Sequence, residues 1–262
     1  MKHYLRIYKR LFILNFSMLT AYRGNFVNYL ISGSIWGVFS ILSMVLITAN
    51  VTEVLGWKRH EILVLTGVSQ IVMGIQHMFF SSNFERFPLY IQQGKLDSYL
   101  LKPVDAQVLV SVWLIRIISF SRLIIAGAFL GYLIIAYKLP VTIWTILGFI
   151  PLIICSVIIL YSIWLMVTTL TIWFTRLSNI PEVLYSISAV MRFPPEVYRE
   201  VTFFLFFFLF PLLLIGATPA KQLLGQLTAT SLGITLLFAV VLLVVSRKFW
   251  LFALRSYTSA SS

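Results

Sequence analysis

Six long apolar stretches fill most of this chain, and none of its eight carboxylates lies well inside any of them. About 20 apolar residues cross the hydrocarbon core of a bilayer as a helix. Inside lipid every backbone polar group needs a partner within the protein, so spans of this kind fold as helices. The pattern therefore predicts an all-α polytopic membrane protein. Composition agrees: 60% of residues are hydrophobic and 11% charged, against about 25% charged in a soluble domain. Glu53, Glu61, Glu85, Asp97, Asp105, Glu182, Glu196 and Glu200 all fall in connections or at helix ends. Proton- or cation-coupled carriers place an acid at membrane depth, so the pattern argues against ion-coupled transport.

The spans are expected at about 26–48, 62–80, 108–137, 141–174, 201–215 and 227–245. The second is the weakest, and the third carries Arg116 and Arg122 in its first half. Residues 176–200, with Pro181, Pro194 and Pro195, read as broken or interfacial, and Gly216 to Gln226 as a turn with a short re-entrant element. Before the first span, Lys2, Arg6, Lys9 and Arg10 recur at helical spacing opposite Leu5, Tyr8, Leu11 and Phe12. That is an amphipathic helix lying on the membrane surface. Its apolar run is short, is broken by Asn15 and leads to Arg23, so it reads as a retained segment and not as a cleaved signal. The whole of residues 1–262 reads as one membrane domain.

The net charge of +12 comes from basic residues that flank apolar segments. Anionic headgroups attract such residues, so the partner implied is the lipid bilayer and not nucleic acid. With the N-terminus in the cytoplasm, only Lys58, Arg59, Lys138 and Lys221 fall on the outer side. The bias of Lys and Arg toward cytoplasmic connections then places both termini inside.

The connection at 81–107 is the most informative segment. It runs Phe84-Glu85-Arg86-Phe87-Pro88-Leu89-Tyr90-Ile91-Gln92-Gln93-Gly94-Lys95-Leu96-Asp97-Ser98-Tyr99-Leu100-Leu101-Lys102-Pro103. Charges of both signs threaded with aromatics and leucines suit docking to a partner, though an ordinary loop lying on lipid has a similar look. Gly94 is placed to end one short helix and Asp97 to cap the next.

Gln93 to Pro103 resembles the G-x-L-D-x-x-L-L-K-P segment of bacterial ABC-2-type permeases, the membrane subunits of type-2 ABC exporters. Phe193-Pro194-Pro195-Glu196-Val197-Tyr198, Pro211, Pro219-Ala220, Leu223-Leu224-Gly225 and the ending from Phe249-Trp250 extend the likeness over nearly the whole chain. Arg192 departs from it, standing where a less charged residue is expected. The resemblance implies a six-span subunit of an ATP-driven exporter in the inner membrane of a bacterium, with 1–25 as a connecting helix. It implies that the 81–107 loop docks in a groove of a separate ATPase. The residues assigned to coupling are Phe84, Glu85, Arg86, Gly94, Lys95, Leu96, Asp97, Leu100, Leu101, Lys102 and Pro103. A second permease half, identical or merely similar, completes the assembly, and the substrate is hydrophobic or amphipathic.

The chain has no G-x-x-x-x-G-K-[ST] segment, so it lacks the P-loop that cradles nucleotide phosphates. ATP belongs to the partner, and this chain is expected to bind no cofactor and to catalyse nothing itself. Arg122 is a candidate charge on a substrate path; Arg116 is either part of the same wall or a residue snorkelling to the headgroups. Gly33-x-x-x-Gly37 and Gly127-x-x-x-Gly131 offer flat faces for packing within the chain or between halves. His3, His60 and His77 are scattered with no metal-ligand spacing, and Cys155 reads as a buried structural thiol. Two other classes stay open: a membrane scaffold or assembly factor that docks a soluble partner, and a lipid-modifying membrane enzyme.

Overall fold

Apolar sequence becomes helix here wherever a cap can open it and nothing polar diverts it. The computed structural model describes residues 10, 13–17, 23–174, 179–198 and 203–257. Helix α1, Arg23–Ile47, ends where the Thr48 hydroxyl donates to the Met44 carbonyl at 2.8 Å. A two-stranded hairpin follows, β1 (Glu53–Val54) pairing antiparallel with β2 (Trp57–Lys58). Its turn residues Leu55 and Gly56 both have positive φ, 51° and 87°, as a tight two-residue hairpin requires. Glu61 then accepts the Lys58 N–H at 2.8 Å and opens α2, Arg59–Gln76. A π-turn, His77–Ser81, joins α2 to α3, Ser82–Gln92. From Arg59 to Gln92 the chain is one helical rod of 34 residues. At 1.5 Å per residue it is about 50 Å long, well beyond the roughly 30 Å of a hydrocarbon core.

Helix α4 (Leu96–Leu100) and α5 (Ala106–Val112) complete the connection. A 3₁₀ turn at Ile117–Ser119 leads to α6, Phe120–Ala136, and a Thr142 cap opens α7, Ile143–Thr169. Next come α8, Ile180–Ala189, and 3₁₀ turns at Val190–Arg192 and Pro195–Tyr198. Helix α9 runs Phe203–Leu223, and α10 runs Ala229–Arg255 behind a Thr228 cap. Among the described residues five helices are long and apolar enough to cross a membrane, and Leu209–Leu223 is a shorter apolar one.

The hairpin marks one end of the bundle. There His60 stacks on Tyr137, Lys221 lies over the Trp57 ring, and Gln226 donates to Glu61 at 2.6 Å. At the far end Asn15 donates to the Trp113 carbonyl, Phe87 packs on Trp250, and Arg247 pairs with Asp105. The start of α1 and the end of α10 thus share the far end. Lys2, Arg6 and Lys9 of the expected surface helix lie outside the described residues, as do Arg176, Arg199, Glu200 and Ser259–Ser262. Arg10 and Ile13–Ser17 are helical, with Ile13, Leu14 and Phe16 exposed.

Three expectations are corrected. The second span does not stop at Phe80, because helix continues to Gln92 through a more polar stretch that includes Ser82, Asn83, Glu85 and Arg86. The third does not run unbroken from Val108. Helix stops at Val112, and Asn83 binds the carbonyl and the N–H of Leu114 at 2.9 and 2.8 Å. The Arg116 N–H meanwhile donates to Met78 in the π-turn at 2.8 Å. Helix α9 passes through Gly216 without turning, since that glycine serves a close approach: a Cβ there would sit 2.5 Å from the Met191 carbonyl oxygen. The segment at 179–198 is broken, as expected. Its contacts climb the long rod in reverse order, Tyr185 against Glu85 and His77, Met191 against Ser69, and Glu196 against Trp57. Ile180, Leu184, Ser188 and Met191 are buried.

Candidate functional site

The far-end connection is a folded platform. Gly94, at φ 64°, ends α3: its N–H donates to the Ile91 carbonyl and the Lys95 N–H to the Tyr90 carbonyl. This pair of bonds is a Schellman cap, which needs the left-handed residue at that position. Asp97 does not cap α4; Lys95 holds that position and Asp97 falls in the first turn, where a carboxylate still favours the helix dipole. Leu96 is fully buried and Tyr99 nearly so, anchoring α4 beneath. The Lys102 ammonium lies 5.0 Å from the Tyr99 ring centre and 4.2 Å from that of Trp113. Burial, with Tyr90 beside it, pushes the Tyr99 phenol up to about 12.

Asp105 accepts the Gln107 N–H at 2.9 Å and so caps α5. Arg247 of α10 grips the same carboxylate with both terminal nitrogens and donates to the Gln107 side chain at 2.8 Å. Tyr257, beyond α10, is raised by burial and by the neighbouring Asp97 carboxylate. The platform is thereby fastened to the last helix at two places.

The coupling residues expected from sequence divide into two sets. Phe84 is fully buried among Tyr161 and Trp164, and Glu85 accepts the Tyr185 hydroxyl. With Leu96 these hold the platform to the bundle. Lys95, Leu100, Leu101, Lys102 and Pro103 face outward, and Leu101 is 86% exposed at the tip. Arg86 is exposed too, but into a different space.

That space is a cavity of 830 Å³ between α1, the long rod, the turn before α6, and α8. Arg86, Arg116, Arg122 and Arg192 all line it, with His77, Tyr185, Gln70 and Ser40. Arg122 donates from Nε to the Gly33 carbonyl at 3.3 Å, and Arg192 from Nη1 to Ser40 Oγ at 3.1 Å. Gln70 donates to the same hydroxyl at 2.7 Å. Arg122 is the residue expected on a substrate path; Arg116 lies in the break before α6 and shares its wall. Arg86, assigned from sequence to the docking loop, and Arg192, distinguished in sequence only as a misfit, join them. Nothing in the spacing of these residues signals that convergence, because the four come from three remote segments. Among the described residues no group of His, Cys, Asp and Glu is gathered to hold a metal ion.

The family model described as ABC-2 family transporter protein matches residues 34–261, from within α1 to the C-terminal tail. The chain belongs to the ABC-2 transporter family. As an ABC-2 family member it is a membrane permease component of an ABC-type transport system, a class in which an ATPase accompanies the permease. Comparison with curated proteins and with solved structures gives no match. In this ABC-2 permease the platform and the cavity are two ends of one element: α3 carries Arg86 in the cavity wall and, one Schellman cap later, the exposed tip.

Proposed function

We propose that the chain is the permease half of an ATP-driven exporter, in the inner membrane of a bacterium, with six crossings and both termini cytoplasmic. The far end faces the cytoplasm and the hairpin end the outside, which agrees with the scarcity of basic residues at the hairpin. The fifth crossing, expected from sequence at 201–215, is made in this reading by the broken segment at 179–198. A separate ATPase binds ATP and receives Leu100, Leu101, Lys102 and Pro103 in a groove, while a second permease half completes the path. The substrate is hydrophobic or amphipathic.

The observation that carries this reading is Leu101. A leucine 86% exposed at the tip of a capped platform adds almost nothing to packing among the described residues, and an apolar anchor in a partner's pocket is how interfaces concentrate their energy. Affinity purification in mild detergent, with mass spectrometry of what accompanies the chain, tests it. A P-loop ATPase should co-purify with the wild type and be reduced at least about tenfold by Leu101→Asp, a loss of roughly 1.4 kcal/mol. Recovery of folded wild-type chain with no ATPase would sink the reading and favour a scaffold.

A further inference from the structure

We infer that the cavity binds an anionic amphiphile, its oxyanion head held by Arg122 and Arg192 and its apolar tail lying along Trp36, Phe39 and Met73. Taken as the transported substrate, this ligand rests on the exporter reading above; as a bound molecule it stands alone.

The charge balance points to an anion. Arg86, Arg116, Arg122 and Arg192 share one cavity, and among the described residues no carboxylate lines it. Glu85, beside Arg86 in sequence, is engaged by the Tyr185 hydroxyl. Among the described residues the one ion pair is Arg247 with Asp105, at the far end. Arg122 lies in the first turn of α6, within the apolar stretch Ile117–Ala136, and Arg192 adjoins Met191, whose carbonyl accepts the Ser69 hydroxyl in the interior of α2. A cation within a span costs up to about 2.5–3.5 kcal/mol at its centre and less toward its ends, and those that occur face a cavity and mark a ligand path. Four like charges in one space also repel one another, and an entering anion relieves all of those terms together.

The donors are free to bind it. Arg122 commits one N–H to Gly33 and Arg192 one to Ser40. A guanidinium has several more, set in a fork that matches phosphate, sulfate or carboxylate. Those two bonds also fix where each fork sits before a ligand arrives.

Apolar side chains stand among the polar ones. Trp36, Phe39, Met73, Ile115 and Ile118 line the same space, which suits a hydrocarbon tail and not a hydrated small ion. At 830 Å³ the cavity falls in the range that encloses a ligand of drug size, about 300–1,000 Å³.

The test is equilibrium binding to the full chain, purified into phosphatidylcholine nanodiscs, with empty nanodiscs as reference. Dodecyl phosphate should bind saturably, and at least about tenfold more tightly than dodecyltrimethylammonium or inorganic phosphate. The double variant Arg122→Gln with Arg192→Gln should weaken dodecyl phosphate at least about tenfold, while Lys138→Gln leaves it unchanged. The comparison among probes uses only wild-type protein, so it decides the matter even where a variant misfolds. Equal binding of dodecyltrimethylammonium, or an unaffected double variant, would overturn the anion assignment. Equal binding of inorganic phosphate would overturn the amphiphile assignment. No ATPase is present, so failure here leaves the ATPase pull-down intact, and failure there leaves this binding intact.

Discussion

Glycines separate what a residue announces from what only its neighbours decide. Gly94 is legible from sequence, because a glycine after an amphipathic stretch and before a second short one is placed for a left-handed cap, and it has φ 64°. The Gly33 and Gly127 motifs look alike in sequence yet differ in use. A Cβ on Gly37 would touch Arg122 and Ile125, whereas Gly127 and Gly131 face open space. Gly216 misleads, since its neighbourhood reads as a turn while its role is to let Met191 approach. Gly216→Ala should therefore lower the melting temperature of the detergent-purified protein. The added methyl meets a backbone oxygen at 2.5 Å and Ser69 Oγ at 2.8 Å, and overpacking of this kind costs about 1–3 kcal/mol. Gly127→Ala should leave melting within about 0.5 kcal/mol of wild type. Equal effects of the two would show that the 190–192 turn does not press on α9.

At the scale of elements, hydropathy locates the long helices and is blind to their breaks. Trp113 to Arg116 holds neither Gly nor Pro to announce a break, and the interruption depends on Asn83, about thirty residues earlier, binding both backbone groups of Leu114. The platform's fastening to α10 is equally hidden, because Asp105 and Arg247 lie far apart in the sequence. Burial alone would raise the Asp105 carboxyl. The Arg247 guanidinium and the N–H groups of Gln107 and Val108 outweigh it and hold the group below the usual carboxylate range. A carboxyl depressed in the folded state contributes stability that is complete above its unfolded value, about 3.9, and is lost as pH falls through the folded one. Melting followed from pH 7 to pH 3 should accordingly show a loss at the acid end that Asp105→Asn diminishes. The Arg247 and Asp105 side chains are 38% and 28% exposed, so solvent screening keeps the contribution to at most about 1 kcal/mol. Identical acid limbs for variant and wild type would overturn it.

For the molecule as a whole, the class was legible in composition, and the sharing of one end by the first and last described helices agrees with the charge bias. The course of residues 179–198 was not, because its depth is set by partners on the long rod and not by its own hydropathy. Sidedness has a direct measure. In a Cys155→Ser background, a membrane-impermeant maleimide added to intact spheroplasts should label Lys138→Cys and not Leu101→Cys, with both labelled after lysis. The reverse pattern would invert the proposed orientation. The unbroken rod from Arg59 to Gln92 carries a mechanical consequence. It is clamped part-way along where α6 presses closest: a Cβ on Gly67 would meet Leu130 at 2.6 Å, and one on Gly74 would meet Leu123 at 2.6 Å. A stiff beam held at an interior fulcrum swings its two tips in opposite senses. A push that drives the Leu101 tip inward then splays the hairpin outward, unless the π-turn at His77 flexes to absorb the stroke.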